Sequence, residues 1–458
     1  MRAEVMVHDE RLPADGRLAV SRDAERAAAA AEPVRRIAYP LPGPPGTGYH
    51  RLNRDQHRWT FDELIAPTFL RKATLRPDPL VVYVGGTDDT AVMPVPAGTS
   101  NSRIWNRAVV HGDPVVMAHV LVTGGTGFLG SHTIARLLTS GHKVTTTLRS
   151  LKRQPDVEEM LSVAEAPGRE GVSYVEADLA SDAGWDRAAA GVDYVLHIAS
   201  PFPDSRPKDE NELIVPARDG ALRVLRAARD ADVRRVVLTS SFAAVGYGYG
   251  PTDRVFAEAD WTSLDGPGVT PYVKSKAVAE RAVWDFIAAE GNGLELTTIN
   301  PVGIFGPVLG SDYSSSIRII HAMLTGAMRA APPIWTNTVD VRDVADLHIK
   351  AMTSPAAAGQ RYLALAGEPI SFEQIALALR SQLGEAAAKA PTRSAPAWML
   401  RLLSTVSPQL RETVPQLGVV RRASNAKARE QLGWAPRSNE ESVVASARSL
   451  VRLGLLAD

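Results

Sequence analysis

Residues 120–130 read Val-Leu-Val-Thr-Gly-Gly-Thr-Gly-Phe-Leu-Gly. A short apolar run ends in a glycine-rich turn, and a helix-forming stretch follows. Strand, turn and helix in that order seat the pyrophosphate of a dinucleotide on the helix N-terminus. There, unpaired backbone N–H groups and the helix dipole attract phosphate. Gly124 permits the tight turn, Gly127 lets the backbone approach the phosphates, and Gly130 lets helix and strand pack closely. Phe128 and Leu129 complete the candidate cofactor-binding turn. An ordinary βα turn also carries glycines, so the remainder of the chain has to decide between the two readings.

Downstream, strands are expected at 120–123, 143–148, 172–176, 193–198, 236–239 and 294–300, and helices at 127–140, 212–231 and 272–290. Gly141 stands just past the first helix, where a left-handed C-cap is favoured. Strand–helix alternation of this kind predicts an α/β fold: a Rossmann-type, doubly wound parallel sheet with helices on both faces. Ligands of such sheets bind beyond the C-terminal strand ends. That rule selects Arg149, Asp178, Ala199, Ser240, Ser241 and Pro301, which all follow strands. The domains read as a dinucleotide-binding unit over 118–301 and a smaller, mostly helical substrate-binding region over 302–458. A strand at 361–365 is expected to return to the sheet.

Residues 1–117 read as an irregular, poorly ordered extension. It holds an Ala-rich run at 24–32, a Pro-rich stretch at 39–48 that suits neither helix interior nor central strand, and one candidate strand at 80–84. Met117 stands just ahead of the first strand of the alternating region, and translation is expected to start there.

Lys plus Arg and Asp plus Glu are equal at 51 each, so no global field favours nucleic acid. Cysteine is absent, which removes disulfides, thiolate metal sites and a thiol nucleophile; no metal is expected. No apolar run reaches the ~18 residues of a membrane helix, and no signal peptide is visible. The expected setting is cytoplasmic, without nucleic-acid or membrane partners.

Arg149 follows the second strand, with Lys152 and Arg153 behind it. An acidic residue there would bind the ribose diol of NAD, whereas Arg accommodates the 2′-phosphate of NADP. NADP(H) is therefore expected over NAD(H), the alternative being a solvated basic loop. Asp178, with Leu179 beside it, follows strand three, as an acceptor for the adenine amino group or as a helix N-cap. Ala199 and Ser200 follow strand four and are small enough for backbone to approach the cofactor. His197 reads as packed rather than catalytic.

Tyr272 and Lys276 lie four residues apart and share a helical face. Of the ten tyrosines, Tyr272 alone has Lys four residues later. An ammonium beside a phenol favours the phenolate and is expected to lower a pKa of ~10 toward neutrality. Strand five ends in Ser240-Ser241, which brings a hydroxyl to the same sheet edge. Ser, Tyr and Lys around a nicotinamide make a carbonyl-reduction site.

These features resemble the extended short-chain dehydrogenase/reductase superfamily, with its NAD-dependent epimerase/dehydratase fold. Within it, His197-Ile-Ala-Ser-Pro-Phe202, Asn300-Pro-Val-Gly-Ile-Phe-Gly-Pro307 and Val339-Asp-Val-Arg-Asp-Val-Ala-Asp346 resemble the dihydroflavonol reductase-like group of aldehyde and ketone reductases. The likeness runs over about 118–450 and includes Ala428-Arg-Glu-Gln-Leu-Gly-Trp434. It implies Ser241 rather than Ser240 as the catalytic serine, Tyr272 as proton donor and Lys276 as the ribose-binding cation. It places Pro301 and Val302 on the nicotinamide and Ser316 against the cofactor. Many members carry Asn three residues before Gly220, where this chain has Ala217, so an Asn-held water relay is in doubt. The substrate implied is a small-molecule carbonyl compound, and the protein a monomer or homodimer. Phe202, Phe242, Met323 and Met328 offer apolar lining without a site role. Rival readings are an NAD-dependent sugar-nucleotide epimerase, a 3β-hydroxysteroid dehydrogenase-like enzyme, and a non-enzymatic NADP sensor. Arg149 and the Ala-Ser-Pro-Phe loop argue against the first two, and the Tyr–Lys pair against the third.

Overall fold

The computed structural model describes residues 4–9, 80–85, 90–94, 117–201, 207, 209–405 and 414–456. The chain divides into two compact units, Met1–Val116 and Met117–Asp458. In the first, β1 (Glu4–Asp9), β2 (Leu80–Gly85) and β3 (Thr90–Pro94) form an antiparallel sheet in the order β1-β2-β3. One strand was expected here and three are found. One partner of β2, β1, lies at the far end of the unit's sequence, where local pattern reading misses the pairing. The Ala-rich and Pro-rich stretches lie outside the described residues.

The second unit carries the dinucleotide-type fold. Its sheet strands are β4 (His119–Thr123), β5 (Lys143–Leu148), β6 (Ser173–Glu176), β7 (Tyr194–His197), β8 (Arg235–Thr239), β10 (Glu295–Pro301) and β14 (Arg361–Ala364). They run in the order β14-β10-β8-β7-β4-β5-β6, every neighbouring pair parallel. Short strands pair outside it: β9 (Val255–Phe256) with β16 (Arg422–Ala423), β11 (Gly303–Phe305) with β13 (Thr338–Asp340), and β12 (Trp335–Thr336) with β15 (Ile370–Ser371). The helices are α1 (Phe128–Thr139), α2 (Gln154–Val163), α3 (Trp185–Ala189), α4 (Asn211–Asp230), α5 (Pro271–Glu290), α6 (Ser315–Thr325), α7 (Val341–Thr353), α8 (Phe372–Leu383), α9 (Ala397–Leu403), α10 (Ala426–Leu432) and α11 (Asn439–Arg452).

Both sheet faces are covered, which is why the strands read as nearly continuous apolar runs. Successive residues point to opposite faces. Val120, Val122, Leu196 and Val237 enter one core with Ile134 and Leu137 of α1 and Leu347 of α7. Leu121, Val195, Val236 and Leu238 enter the other with Leu225 of α4 and Val283 and Phe286 of α5. The chain leaves β4 toward β5 and β6, then returns across β4 to β7 and β8. The strand order therefore reverses between β4 and β7, and the crevice beyond their C-terminal ends is the ligand-binding position of such a sheet. Among the described residues, no helix is long and apolar enough to cross a membrane.

Candidate active site

The glycine turn is a backbone device. Gly124 has φ +75°, in the left-handed region. Gly127 N donates to Gly124 O at 3.0 Å, and α1 begins at the next residue. A Cβ on Gly130 would lie 2.2 Å from Gly124 O, so the helix can sit this close to the turn only with glycine there. No side chain caps α1, which leaves its leading amides able to receive an anion.

Thr123 ties this turn to the loop after β7. Its hydroxyl oxygen accepts from Ile198 N at 3.0 Å and Ala199 N at 2.9 Å. Both lone pairs are thereby used, so its proton goes to His197 Nδ1 at 2.9 Å. His197 is thus fixed with its proton on Nε2. Burial, aided by the Lys276 charge, pushes its pKa down to about 3, which keeps the ring neutral. A Cβ on Gly124 would meet Ala199 Cβ at 3.0 Å, so the turn and the Ala199-Ser200 loop lie side by side.

At the end of β5, Arg149 and Lys152 are exposed. Ser150 accepts from Lys152 N and shapes the turn that follows. Arg153 is engaged with Asp156 at 2.9 Å and Asp312 at 3.1 Å, while Arg149 and Lys152 form no ion pair among the described residues. Beyond β6, Asp178 Oδ1 accepts from Ala180 N at 2.9 Å. The carboxylate closes a tight turn and does not cap α3, whose N-cap is Gly184. Leu179 packs on α4 where a Cβ on Gly220 would come within 2.9 Å.

Pro271 in the first turn and the Thr270 side chain, which accepts from Val273 N, start α5 and so fix where Tyr272 and Lys276 stand. The Tyr272 phenol shares a hydrogen bond with the Ser241 hydroxyl. Ser241 also accepts from Ala243 N at 3.1 Å, which orients it. Its neighbour Ser240 turns inward and donates to Glu280 Oε2 at 2.5 Å. Lys276 Nζ lies 5.7 Å from the Tyr272 ring centroid and donates to Ser200 Oγ at 2.7 Å. Burial pulls its pKa down to about 8.

The expected depression of the Tyr272 pKa is corrected here. Burial pushes the phenol up, Ser241 opposes this, and Tyr247 adds to the rise. Desolvation of the phenolate outweighs the favourable contacts.

Pro301 ends β10, and Val302 N donates to Ala364 O at 3.2 Å. Val302 packs beside Phe242, Val245, Phe256, Leu363 and Leu365, with Tyr247 in the same cluster. Ser316 stands in the first turn of α6. Its segment is tied to β11 through Ser314 and Ile304, and to the β5 loop through Asp312 and Arg153. Ala217 lines a small cavity with His197, Ser200, Ser240, Lys276 and Glu280. Phe242 and Met323 are buried core, and Phe202 lies outside the described residues.

Sequence reading missed Glu280. Its signal was present: an acidic residue four positions after Lys276, on the face of α5 that also carries Tyr272.

The fold and the glycine turn define an α/β protein of the Rossmann type. The chain belongs to the NAD dependent epimerase/dehydratase family, whose model matches residues 120–364. It is 35% identical over 298 residues to the ketoreductase azaE of Aspergillus niger, covering 60% of this chain and 86% of that one. It is 33% identical over 268 residues to a (2S)-flavan-3-ol-forming anthocyanidin reductase of Vitis vinifera, covering 55% and 78%. The solved structure of Gre2 from Candida albicans in complex with NADPH superposes with a TM-score of 0.60. Sequence identity there is 26%, over 73% of this chain and 99% of that one.

Proposed function

We propose that the protein is an NADPH-dependent reductase of aldehydes or ketones that works through Ser241, Tyr272 and Lys276. The observation that carries this reading is a continuous set of contacts. The Tyr272 phenol bonds Ser241, Lys276 lies by its ring and bonds Ser200, and Ser200 follows the Ala199 backbone that Thr123 holds against the glycine turn. Kinship to proteins named as reductases, one of them solved with NADPH, supports it.

The residues present fit such a cofactor. The uncapped start of α1, with Gly124, Gly127, Phe128, Leu129 and Gly130, would take the pyrophosphate. Arg149 and Lys152, cations without ion pairs among the described residues, would take the 2′-phosphate. Asp178 and Leu179 would border the adenine. Lys276 and Ser200 would hold the ribose hydroxyls, Pro301 and Val302 would back the nicotinamide, and Ser316 would contact the cofactor. The chemistry supplied by the bound nicotinamide is hydride donation to the carbonyl carbon. Ser241 hydrogen-bonds the carbonyl oxygen and orients it. Tyr272 gives that oxygen its proton, which completes the alcohol. Residues 118–301, with Val302 and Ser316, would serve the cofactor and the remainder of 302–458 the substrate, in a soluble cytoplasmic monomer or homodimer.

Tyr272→Phe tests the reading. It keeps NADPH affinity and loses about 10²–10⁴-fold in turnover of a panel of aldehydes, ketones and flavanonols. Undiminished turnover with NADPH still bound would end the assignment.

A further inference from the structure

Glu280 takes no part in the reduction described above, yet it is completely buried beside it. It stands on α5 in line with Tyr272 and Lys276, and its carboxylate is crowded with donors. Oε2 accepts from Ser240 Oγ at 2.5 Å and Asn300 Nδ2 at 2.6 Å. Oε1 accepts from Arg361 Nε at 2.7 Å, Thr298 Oγ1 at 3.1 Å and Trp284 Nε1 at 3.5 Å. Those donors include groups from the ends of β8, β10 and β14, so one carboxylate joins α5 to three strands of the sheet.

Two features separate this cluster from an ordinary structural ion pair. First, Asn300 Nδ2 also donates to the backbone oxygen of Ser241 at 3.2 Å. Glu280 therefore grips both residues of the Ser240-Ser241 pair, one directly and one through Asn300. Second, Arg361 is itself anchored away from the reacting groups. Its Nη1 donates to Glu258 O at 2.6 Å and Asp260 O at 2.8 Å, and its guanidinium stacks on Trp261 at 3.8 Å. The charge on Glu280 is thus balanced from behind, while its other oxygen faces the serine strand.

We infer that Glu280 is a positioning residue: it sets the α5 face that carries Tyr272 and Lys276 in register with the strand end that carries Ser241. The inference rests on the site reading above. Misplacing reacting groups by about 1 Å costs on the order of 10²-fold in rate. Glu280→Gln keeps the shape but brings an amide N–H₂ to one of two donor sets. Facing Arg361 it would leave the guanidinium Nε–H without its acceptor. Turned the other way it opposes Asn300 N–H₂, and Asn300 relieves that clash only by releasing Ser241.

The experiment compares wild type, Tyr272→Phe, Glu280→Gln and Glu280→Gln/Arg361→Gln, with NADPH and the aldehyde from the panel that wild type turns over best. Glu280→Gln is expected to lower kcat about 10–100-fold and leave the NADPH Kd and the pH midpoints of kcat unchanged. Adding Arg361→Gln, which removes the unbalanced guanidinium, leaves kcat low. Recovery of kcat overturns the inference, because the loss then came from a stranded charge. So does wild-type kcat in Glu280→Gln. Should Glu280→Gln not fold, Ser240→Ala severs the 2.5 Å bond without changing charge. A roughly tenfold loss of kcat then supports positioning, and wild-type kcat overturns it. Full turnover in Tyr272→Phe would sink the site reading and this inference with it. Lost turnover there, with intact kcat in Glu280→Gln, sinks this inference alone.

Discussion

The glycine turn at 123–130 and the inner face of α5 border the same end of the sheet, but they are made of different material. The turn works through backbone. Gly124 adopts φ +75°, and Gly130 leaves no room for a methyl group beside the backbone oxygen of Gly124, six residues back. The α5 face works through side chains gathered from afar. Lys276 reaches a residue 76 positions away, and Glu280 reaches residues 40, 20 and 81 positions away. A device made of backbone tolerates almost no change of residue type at its few positions. A device made of side chains fails in steps, partner by partner.

The sharpest way to break this contrast is Gly130→Ala. The new methyl carbon would lie 2.2 Å from a backbone oxygen, which cannot yield as a flexible side chain would. We expect a cost of about 3 kcal/mol or more, at the upper end of overpacking. NADPH affinity should fall by about tenfold or more as α1 moves off the turn. Gly127→Ala, whose Cβ would meet the same oxygen at 3.3 Å, should lower Tm much less than Gly130→Ala. Thermal melts and NADPH titrations of the two variants check this, and equal Tm values would remove the steric argument.

Arg149→Asp probes a middle case, a long-range ligand contact made from a local position. Arg149 has no carboxylate partner among the described residues, so the substitution should disturb little of the fold. Loss of a charge-assisted bond to phosphate is worth about 1.5–3 kcal/mol, or roughly 10–100-fold in kcat/KM for NADPH. Activity with NADH should change far less. An unaltered NADPH-to-NADH ratio would take Arg149 off the cofactor.

The same contrast explains what could be read from sequence. Strand alternation, the glycine spacing and the Tyr272/Lys276 step are periodic or local, and the fold and the positions of these residues were legible from them. Ser241 could be placed at the right sheet edge because strand ends share one edge. The Lys276–Ser200 bond, the Thr123 bridge to His197 and the Glu280 cluster depend on how far apart neighbouring strand ends lie after twisting and packing, which no local pattern encodes. The Tyr272 pKa failed for a related reason. Sequence shows the neighbouring cation but not the depth of burial, and here burial wins. In the first unit, β1 and β2 pair across more than half its length, and sequence offered only the second of them.

Lys276 offers the finest test, because its activity and stability effects have opposite signs. Burial lowers its pKa from 10.5 to about 8. Above pH 8 the folded protein therefore loses an ammonium that an exposed lysine would keep past pH 10. If that ammonium holds the ribose, kcat/KM for NADPH stays level on the acid side and falls through a midpoint near 8, approaching about tenfold per pH unit. Stability moves the other way. Between pH 8 and 10.5 the unfolded chain binds this proton and the folded chain does not, so this group's contribution to stability rises with pH and is lost as pH falls through 8. Alkaline unfolding would lower both quantities together. A pH series of NADPH kinetics beside Tm, with Lys276→Met as the reference that has no titrating amine, separates the two. A midpoint of kcat/KM above 10 would mean that the Lys276 amine is hydrated and that the α5 face is less closed than its contacts imply.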